Sequence, residues 1–257
     1  MRFRIKVLLH GCNGKLGQVI VNLVKNHDDF EIVAGIDTNT SVSHNFPVFT
    51  NIYHCHIFAD VIIDFSTAKA IPDLIQYSIQ KHIPLVLCTT GLTPEDIELV
   101  HTSSKLIPIF YSANMSLGIN LIINLAKRAT EILNDSGFDI EIIEKHHNKK
   151  IDAPSGTALA IAEGIQSSIR EECTLMYDRS KENTPRAKNE IGIHAVRGGT
   201  IVGEHEIIFA GTDEIIKISH SATSKEIFGV GALKASKFLT NKPAGLYNMD
   251  DLLDLTK

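Results

Sequence analysis

The sequence has little from which to build a disulfide framework, a membrane anchor or a cationic binding surface. Its four cysteines, Cys12, Cys55, Cys88 and Cys173, stand far apart and form no CxxC pair. That spacing points to free thiols in a reducing, cytoplasmic setting. No secretory n-region, h-region and cleavage site opens the chain, because the first apolar run, residues 5–9, is strand-length and meets a glycine turn at once. No apolar stretch is long enough to span a bilayer. Positive charge is not in excess: the formal net charge is -5, so nothing suggests a nucleic-acid partner. Repeats and low-complexity segments are absent. What is present is 257 residues with 44% hydrophobic side chains, enough to bury one large core or two modest ones. Histidine is so frequent, at twelve residues, that an isolated one is weak evidence of function.

Short apolar runs alternate with amphipathic ones in the first half. Strands are expected over residues 4–9, 30–36, 60–65, 84–88 and 106–111. Leu16, Val19, Ile20, Leu23 and Val24 recur at helical spacing, and further helices are expected over 71–81 and 94–103. This beat predicts βαβ units on a parallel sheet with right-handed crossovers. Residues 39–56 are irregular, with room for a short edge strand. From residue 117 the rhythm changes. A long helix over 117–133 precedes a strand over 138–144, a polar basic stretch over 146–152 and a helix reaching about residue 169. Residues 171–188 carry no clear period and read as a mobile loop. Strands over 192–196, 204–210 and 214–220 are close in sequence, which favours antiparallel pairing. A last helix is expected over 225–239. The fold class is therefore α/β: an N-terminal Rossmann-type parallel sheet in residues 1–116, then an α+β domain with a mixed sheet in 117–224.

The first glycine turn follows the first strand directly. Gly11, Gly14 and Gly17 form GxxGxxG rather than GxGxxG. Gly11 permits a tight turn, Gly14 lets the backbone approach a pyrophosphate, and Gly17 lets the helix sit close to the sheet. Alone this is a weak signal, since structural glycine turns often follow strands. Asp37 strengthens it, standing about twenty residues beyond Gly17 at the end of the second strand, where a carboxylate can accept both ribose hydroxyls. Its charge would repel a 2′-phosphate, and Thr38 and Asn39 follow without an arginine, so the sequence leans toward NADH over NADPH. Lys15 is the nearest cation that could alter this; its plain alternative is a solvated residue of the first helical turn. Phe65-Ser66-Thr67 and Cys88-Thr89-Thr90-Gly91 also lie at strand C-termini. Their hydroxyls and backbone can line the nicotinamide side or cap helices, as can Thr93 before Pro94-Glu95-Asp96.

The densest chemistry lies in Glu144-Lys145-His146-His147-Asn148-Lys149-Lys150-Ile151-Asp152-Ala153-Pro154-Ser155-Gly156-Thr157. A cationic cluster adjoins a polar turn that opens a helix. Backbone N–H groups with the Ser155 and Thr157 hydroxyls can surround an anion. Histidine can exchange a proton near neutral pH, and lysine can pair with a carboxylate. The alternative is a solvated charged loop with an ordinary N-cap. Neither the adjacent His146 and His147 nor His54-Cys55-His56 has a third ligand at motif spacing, so no metal is expected.

Taken together, the Gly11–Gly17 turn, Asp64-Phe65-Ser66, Thr89-Thr90-Gly91, Ala113-Asn114-Met115-Ser116-Leu117-Gly118, the His146–Thr157 block, Arg197-Gly198-Gly199, Val202-Gly203-Glu204-His205 and Gly245-Leu246-Tyr247-Asn248-Met249-Asp250 are specific. Over nearly its full length the chain resembles the 4-hydroxy-tetrahydrodipicolinate reductase (dihydrodipicolinate reductase) family of the diaminopimelate and lysine pathway. The resemblance implies hydride transfer from NADH or NADPH to ring C4 after loss of water, with a proton supplied at C3. His146 is then the proton donor and Lys150 its cationic partner. His147, Ser155, Gly156 and Thr157 would hold the substrate carboxylates, with Thr90 closing over from the first domain. The cofactor would meet Gly11, Cys12, Asn13, Gly14, Lys15, Leu16 and Gly17, then Asp37 and Phe65, then Cys88, Thr89, Thr90 and Gly91, and finally Tyr111, Ser112, Ala113, Asn114 and Met115. The resemblance also implies a homotetramer built through the second-domain sheet, and a tail, 225–257, that returns to the dinucleotide domain. Family members with a basic residue soon after the ribose-binding acid differ here, where Thr38 and Asn39 stand. Some have arginine at the position matched by Lys225. Two other readings compete: another Rossmann oxidoreductase, acting on an amino acid or semialdehyde, and a noncatalytic dinucleotide sensor.

Overall fold

The computed structural model describes residues 4–254. In chain order the elements are β1 (Ile5–His10), α1 (Lys15–Lys25), β2 (Phe30–Ile36), β3 (Val48–Phe49), β4 (Val61–Asp64), α2 (Ile71–Lys81), β5 (Leu85–Leu87), α3 (Pro94–Ser103), β6 (Pro108–Tyr111) and α4 (Leu117–Leu133). There follow β7 (Asp139–His146), α5 (Gly156–Gln166), β8 (Thr174–Met176), β9 (Glu190–Arg197), β10 (Gly203–Ala210), β11 (Ile215–Ala222), α6 (Glu226–Leu239), β12 (Gly245–Tyr247) and α7 (Met249–Leu253). Two compact units result, one running to Leu117 and resuming at Lys225, the other spanning Gly118–Ser224. No helix among the described residues is long and apolar enough to cross a membrane.

The first unit is a parallel sheet in the order β12-β6-β5-β4-β1-β2-β3. Its central strands are apolar on both faces, as a sheet covered on both sides requires. Side chains alternate between faces: Val7, Leu9, Val61, Ile63 and Val86 join one core with Ile20 and Val21 of α1 and Leu233 and Leu239 of α6. Leu8, Ile62, Leu85 and Leu87 join the other with Leu74 and Ile75 of α2. The order in which strands are added reverses between β1 and β4, which is where an open parallel sheet leaves a crevice at its strand C-termini. The expected helices over 71–81 and 94–103 form, and Thr93 caps α3 with a full capping box to Asp96. The short edge strand in 39–56 is β3. The tail adds β12 and α7, both too short to show a hydrophobic period.

The second unit has sheet order β11-β10-β7-β9-β8. Its inner face packs Ile140, Ile142, Ile193, Ile207 and Phe209 against α4 and α5. Three expectations change here. The strand expected over 138–144 runs on to His146, so the acid–base block begins inside the sheet. The segment around 192–196 does not join its successors in an antiparallel run. It is β9, parallel to β7 and to β8, while β10 is antiparallel to both β7 and β11. Residues 171–188 are also not a featureless loop: they include β8 and are tied down by guanidinium groups. Arg186 bonds Asp139 at 2.8 Å, Glu141 at 3.0 Å and the Ile140 carbonyl at 3.0 Å, while Arg179 pairs with Glu190. Ionic anchors leave no apolar period for a sequence reading to find.

Candidate active site

At the switch point of the first unit, β1 hands the chain to Gly11 at φ +77°. A side chain there would meet the Phe65 carbonyl oxygen at 2.5 Å, and one on Gly17 would overlap the Gly11 carbonyl. Glycine is required at both positions by backbone conformation or close approach. Gly14 is the N-cap of α1 and supplies no side-chain acceptor. The first-turn N–H groups are thus not taken by a cap, and the helix dipole favours an anion beside them. Asp37 closes β2 and accepts from the Asn13 and Asn39 backbone N–H groups, both at 2.9 Å. His10, Gly11, Gly14, Asp37, Ser66 and Thr67 are among the residues that border a cavity of about 400 Å³. The Ser66 hydroxyl is buried there without a partner among the described residues. A turn with glycine at its close approaches, an open helix start and a terminal carboxylate around one cavity fit the adenosine and pyrophosphate of a dinucleotide.

The other residues expected to meet the cofactor differ in how far they are exposed. Cys12 is fully buried, and its thiol is pushed up to about 11 by burial and then by the Asp37 charge. Burial also raises the Cys88 thiol. Both cysteines pack the core and leave only backbone to a ligand. Met115 is likewise buried. Thr89 is not a free hydroxyl, since its Oγ1 donates to Asp64 Oδ2 at 2.6 Å. Lys15, Thr90, Gly91 and Ala113 are exposed, while Asn13, Leu16, Phe65, Tyr111, Ser112 and Asn114 are half-buried. Ser112 donates to the Asn114 carbonyl at 2.8 Å. Neither Ser66 nor Thr67 donates or accepts a side-chain cap; Thr67 opens a single 3-10 turn with no such bond. Asp64, buried at the end of β4, lies 2.8 Å from His10 Nδ1, outside hydrogen-bond alignment.

The second constellation forms where β7, β9 and β10 meet the start of α5. Glu144 and His146 are two residues apart on β7, so both point to the inner face. The β7–β9 register sets Arg197 beside His146, and the β7–β10 register sets His205 beside Glu144. Glu144 is fully buried. Its Oε1 accepts from Arg197 Nη2 at 2.6 Å and from the Ser155 N–H at 3.0 Å. Its Oε2 accepts from Arg197 Nη1 at 2.8 Å and lies 2.6 Å from His146 Nδ1. Burial alone would raise the Glu144 carboxyl, but the bonds from Arg197, His146 and the Ser155 N–H outweigh it and hold it below its ordinary value. It is therefore a carboxylate at neutral pH. His146 then presents Nε2 over Gly203, where a side chain would stand 3.1 Å from that nitrogen.

Ser155 is the N-cap of α5, its Oγ accepting from the Ala158 N–H at 3.1 Å and lying 3.2 Å from His205 Nε2. Its hydroxyl serves the helix and the buried imidazole. Gly156 is exposed with nothing within 4 Å of where a side chain would begin; Thr157 is half-buried in the same first turn. Lys150, expected as the cationic partner of His146, holds both Asp152 oxygens at 2.8 Å, and this lowers the Asp152 carboxyl. The group bonded to His146 is Glu144. His205 stands edge-on to His146 at 5.2 Å, and its imidazole is pushed down to about 4 by burial, then by the His146 charge. Among the described residues, buried nitrogens without a partner gather at this end of the sheet: His147 Nδ1, His205 Nδ1, His220 Nδ1 and Arg197 Nε. Such groups are rare in native structures and point to a ligand or water. Glu144, Arg197 and His205 had no role in the sequence reading. The Glu-x-His spacing was a local signal for Glu144; Arg197 and His205 needed the strand register.

Comparison with known proteins is consistent over both units. Residues 5–115 match the family described as "Dihydrodipicolinate reductase, N-terminus", and residues 118–253 match its "C-terminus" counterpart. The 4-hydroxy-tetrahydrodipicolinate reductase of Caldanaerobacter subterraneus subsp. tengcongensis is 54% identical over 97% of this chain and 98% of its own. That of Clostridium tetani is 51% identical over 97% of each. Among solved structures, a dipicolinate-bound dihydrodipicolinate reductase from a Paenisporosarcina species superposes with a TM-score of 0.82 at 25% identity, covering 97% of this chain and 99% of that one.

Proposed function

The chain belongs to the dihydrodipicolinate reductase family and reduces 4-hydroxy-tetrahydrodipicolinate to tetrahydrodipicolinate with NAD(P)H, and on that premise we propose which of its residues carry the reaction. The observation that carries the proposal is the imidazole of His146, held at Nδ1 by a buried carboxylate and free to present Nε2. His146 donates the proton to ring C3 as the conjugated imine left by loss of water is reduced at C4. A reduced nicotinamide, when bound, supplies the hydride.

The substrate carries two carboxylates. Lys150 and the backbone N–H groups of Gly156 and Thr157 hold one of them, with Asp152 giving up Lys150 as it enters. His147 lies beside this seat and contributes its unpartnered ring. Ser155 acts through α5, by capping it. Holding the ring and supplying fixed charge at the reacting atoms lower the barrier together. On the cofactor side, the Gly11–Gly17 turn holds the pyrophosphate and Asp37 accepts the ribose hydroxyls. With Thr38 and Asn39 beside it, NADH is the preferred donor and NADPH the weaker one. The free thiols support a reducing, cytoplasmic setting. The outer sheet face of the second unit, with Val196 and Ile215 exposed, supports assembly into a homotetramer.

A steady-state assay with freshly generated 4-hydroxy-tetrahydrodipicolinate tests the assignment. Oxidation of NADH should require that substrate and exceed oxidation of NADPH in kcat/KM. Lys150→Ala should raise the substrate KM about tenfold or more and weaken the binding of dipicolinate, since a charged hydrogen bond is worth about 1.5–3 kcal/mol. Unchanged substrate kinetics in Lys150→Ala would remove Lys150 from the carboxylate seat.

A further inference from the structure

We propose that Glu144 and Arg197 are a positioning pair that sets both the orientation and the acid strength of His146. The proposal rests on the reading of His146 as the proton donor. Each member does something the other cannot. Glu144 orients the ring, because a carboxylate 2.6 Å from Nδ1 keeps the proton on that nitrogen and turns Nε2 outward. Arg197 offsets the anion through two parallel bonds of 2.6 and 2.8 Å.

The charge arithmetic gives the reason for having both. Glu144 and Arg197 together sum to zero, so His146 gains or loses its proton without an uncompensated neighbour of either sign. With Glu144 alone, the imidazolium would close a buried neutral pair and hold its proton too firmly to donate it. With Arg197 alone, a fixed cation would make the imidazole hard to recharge between turnovers. The remaining groups around His146 do not replace this pair. His205 on β10 is edge-on at 5.2 Å and kept neutral by burial. His220 on β11, in register with His205, is also pushed down by burial. From α5 come Thr157 and the N-cap Ser155, neither of them charged. His147 is next in the chain, and Lys150 is paired with Asp152 in the following loop and with a substrate carboxylate once one is bound, so its charge stays offset in either state. Lys145 and Glu204 pair at 3.0 Å on the opposite face of the sheet.

The test is the pH dependence of turnover, read beside the affinity for reduced cofactor and the melting temperature. The wild type is compared with Glu144→Gln, Arg197→Met, Arg197→Lys and His146→Gln. An opposite or like charge at this range displaces a titration by about one to three pH units. The alkaline limb of kcat should therefore move down by about one unit or more in Glu144→Gln and up by a similar amount in Arg197→Met. Arg197→Lys keeps the charge and should keep the limb near its wild-type position. Cofactor affinity should be the same in all. Limbs that stay in place, or move in the same direction in Glu144→Gln and Arg197→Met, overturn the proposal even if turnover falls. Should Glu144→Gln fail to fold, coincident limbs in Arg197→Met and Arg197→Lys overturn it alone. Near-normal turnover in His146→Gln instead overturns the reading of His146 as donor.

Discussion

Asp37 follows β2 and borders the cavity of the first unit. Asp37 was legible from its place about twenty residues past the glycine turn, and the structure sets it at the cavity edge with each oxygen already accepting one backbone bond. Each oxygen retains a second lone pair for a ribose hydroxyl. Asp37→Asn should raise the NADH dissociation constant about tenfold or more, the cost of a bond to a charged group, and narrow the gap to NADPH. An unchanged NADH-to-NADPH ratio would separate Asp37 from cofactor choice. His205 stood in the Val202-Gly203-Glu204-His205 motif but received no role from it; burial is what singles it out. Its folded value of about 4 lies below the ordinary 6.5. At pH above 6.5 neither state is charged. Between 6.5 and about 4 the unfolded chain binds a proton that the folded one refuses, so stability falls with pH across that window, by roughly 3 kcal/mol at its lower end. Urea midpoints measured through that range should drop less steeply in His205→Asn than in the wild type. Parallel slopes would place the acid sensitivity elsewhere.

Elements were legible where burial imposes a period. The helices over 71–81 and 117–133 form because each turns an apolar stripe to a core, while that over 94–103 fully buries only Val100 among its apolar side chains and is set at its start by the Thr93–Asp96 capping box. Pairing was less legible. β9 looked like the first of three antiparallel strands, yet it lies parallel to β7, a fact carried by contacts across some fifty residues of sequence. That register builds the acid–base constellation, so the part of the site contributed by β9 and β10 could not be read from local pattern. The glycine turn is the opposite case, since its chemistry is local. Gly17→Ala should cost about 2 kcal/mol or more, because the new methyl overlaps the Gly11 carbonyl in backbone that cannot yield cheaply. Gly156→Ala adds its methyl to open space and should melt within a few degrees of the wild type. Equal melting temperatures for the two variants would contradict the close approach of α1 to the turn.

At the scale of the whole molecule, the first unit is discontinuous in sequence. Ala232, Leu233, Ala235 and Leu239 of α6 lie in its core, and β12 extends its sheet beside β6. A chain ending at Ser224 should therefore lose NADH binding and the unfolding transition of the first unit. Each buried leucine is worth about 1.5–3 kcal/mol, against a total stability of about 5–15 kcal/mol. Retained NADH binding by that chain would show that the tail is dispensable. The composition spoke to the room for two cores and against disulfides, but the return of the last helix had no local sign and came from family resemblance. The central claim, that His146 protonates the ring during nicotinamide-dependent reduction, is tested most directly by single-turnover oxidation of pre-bound NADH on mixing with freshly generated 4-hydroxy-tetrahydrodipicolinate. His146→Gln should slow that step by about 10²–10⁴-fold, with NADH affinity unchanged. A rate within a few-fold of the wild type would contradict it.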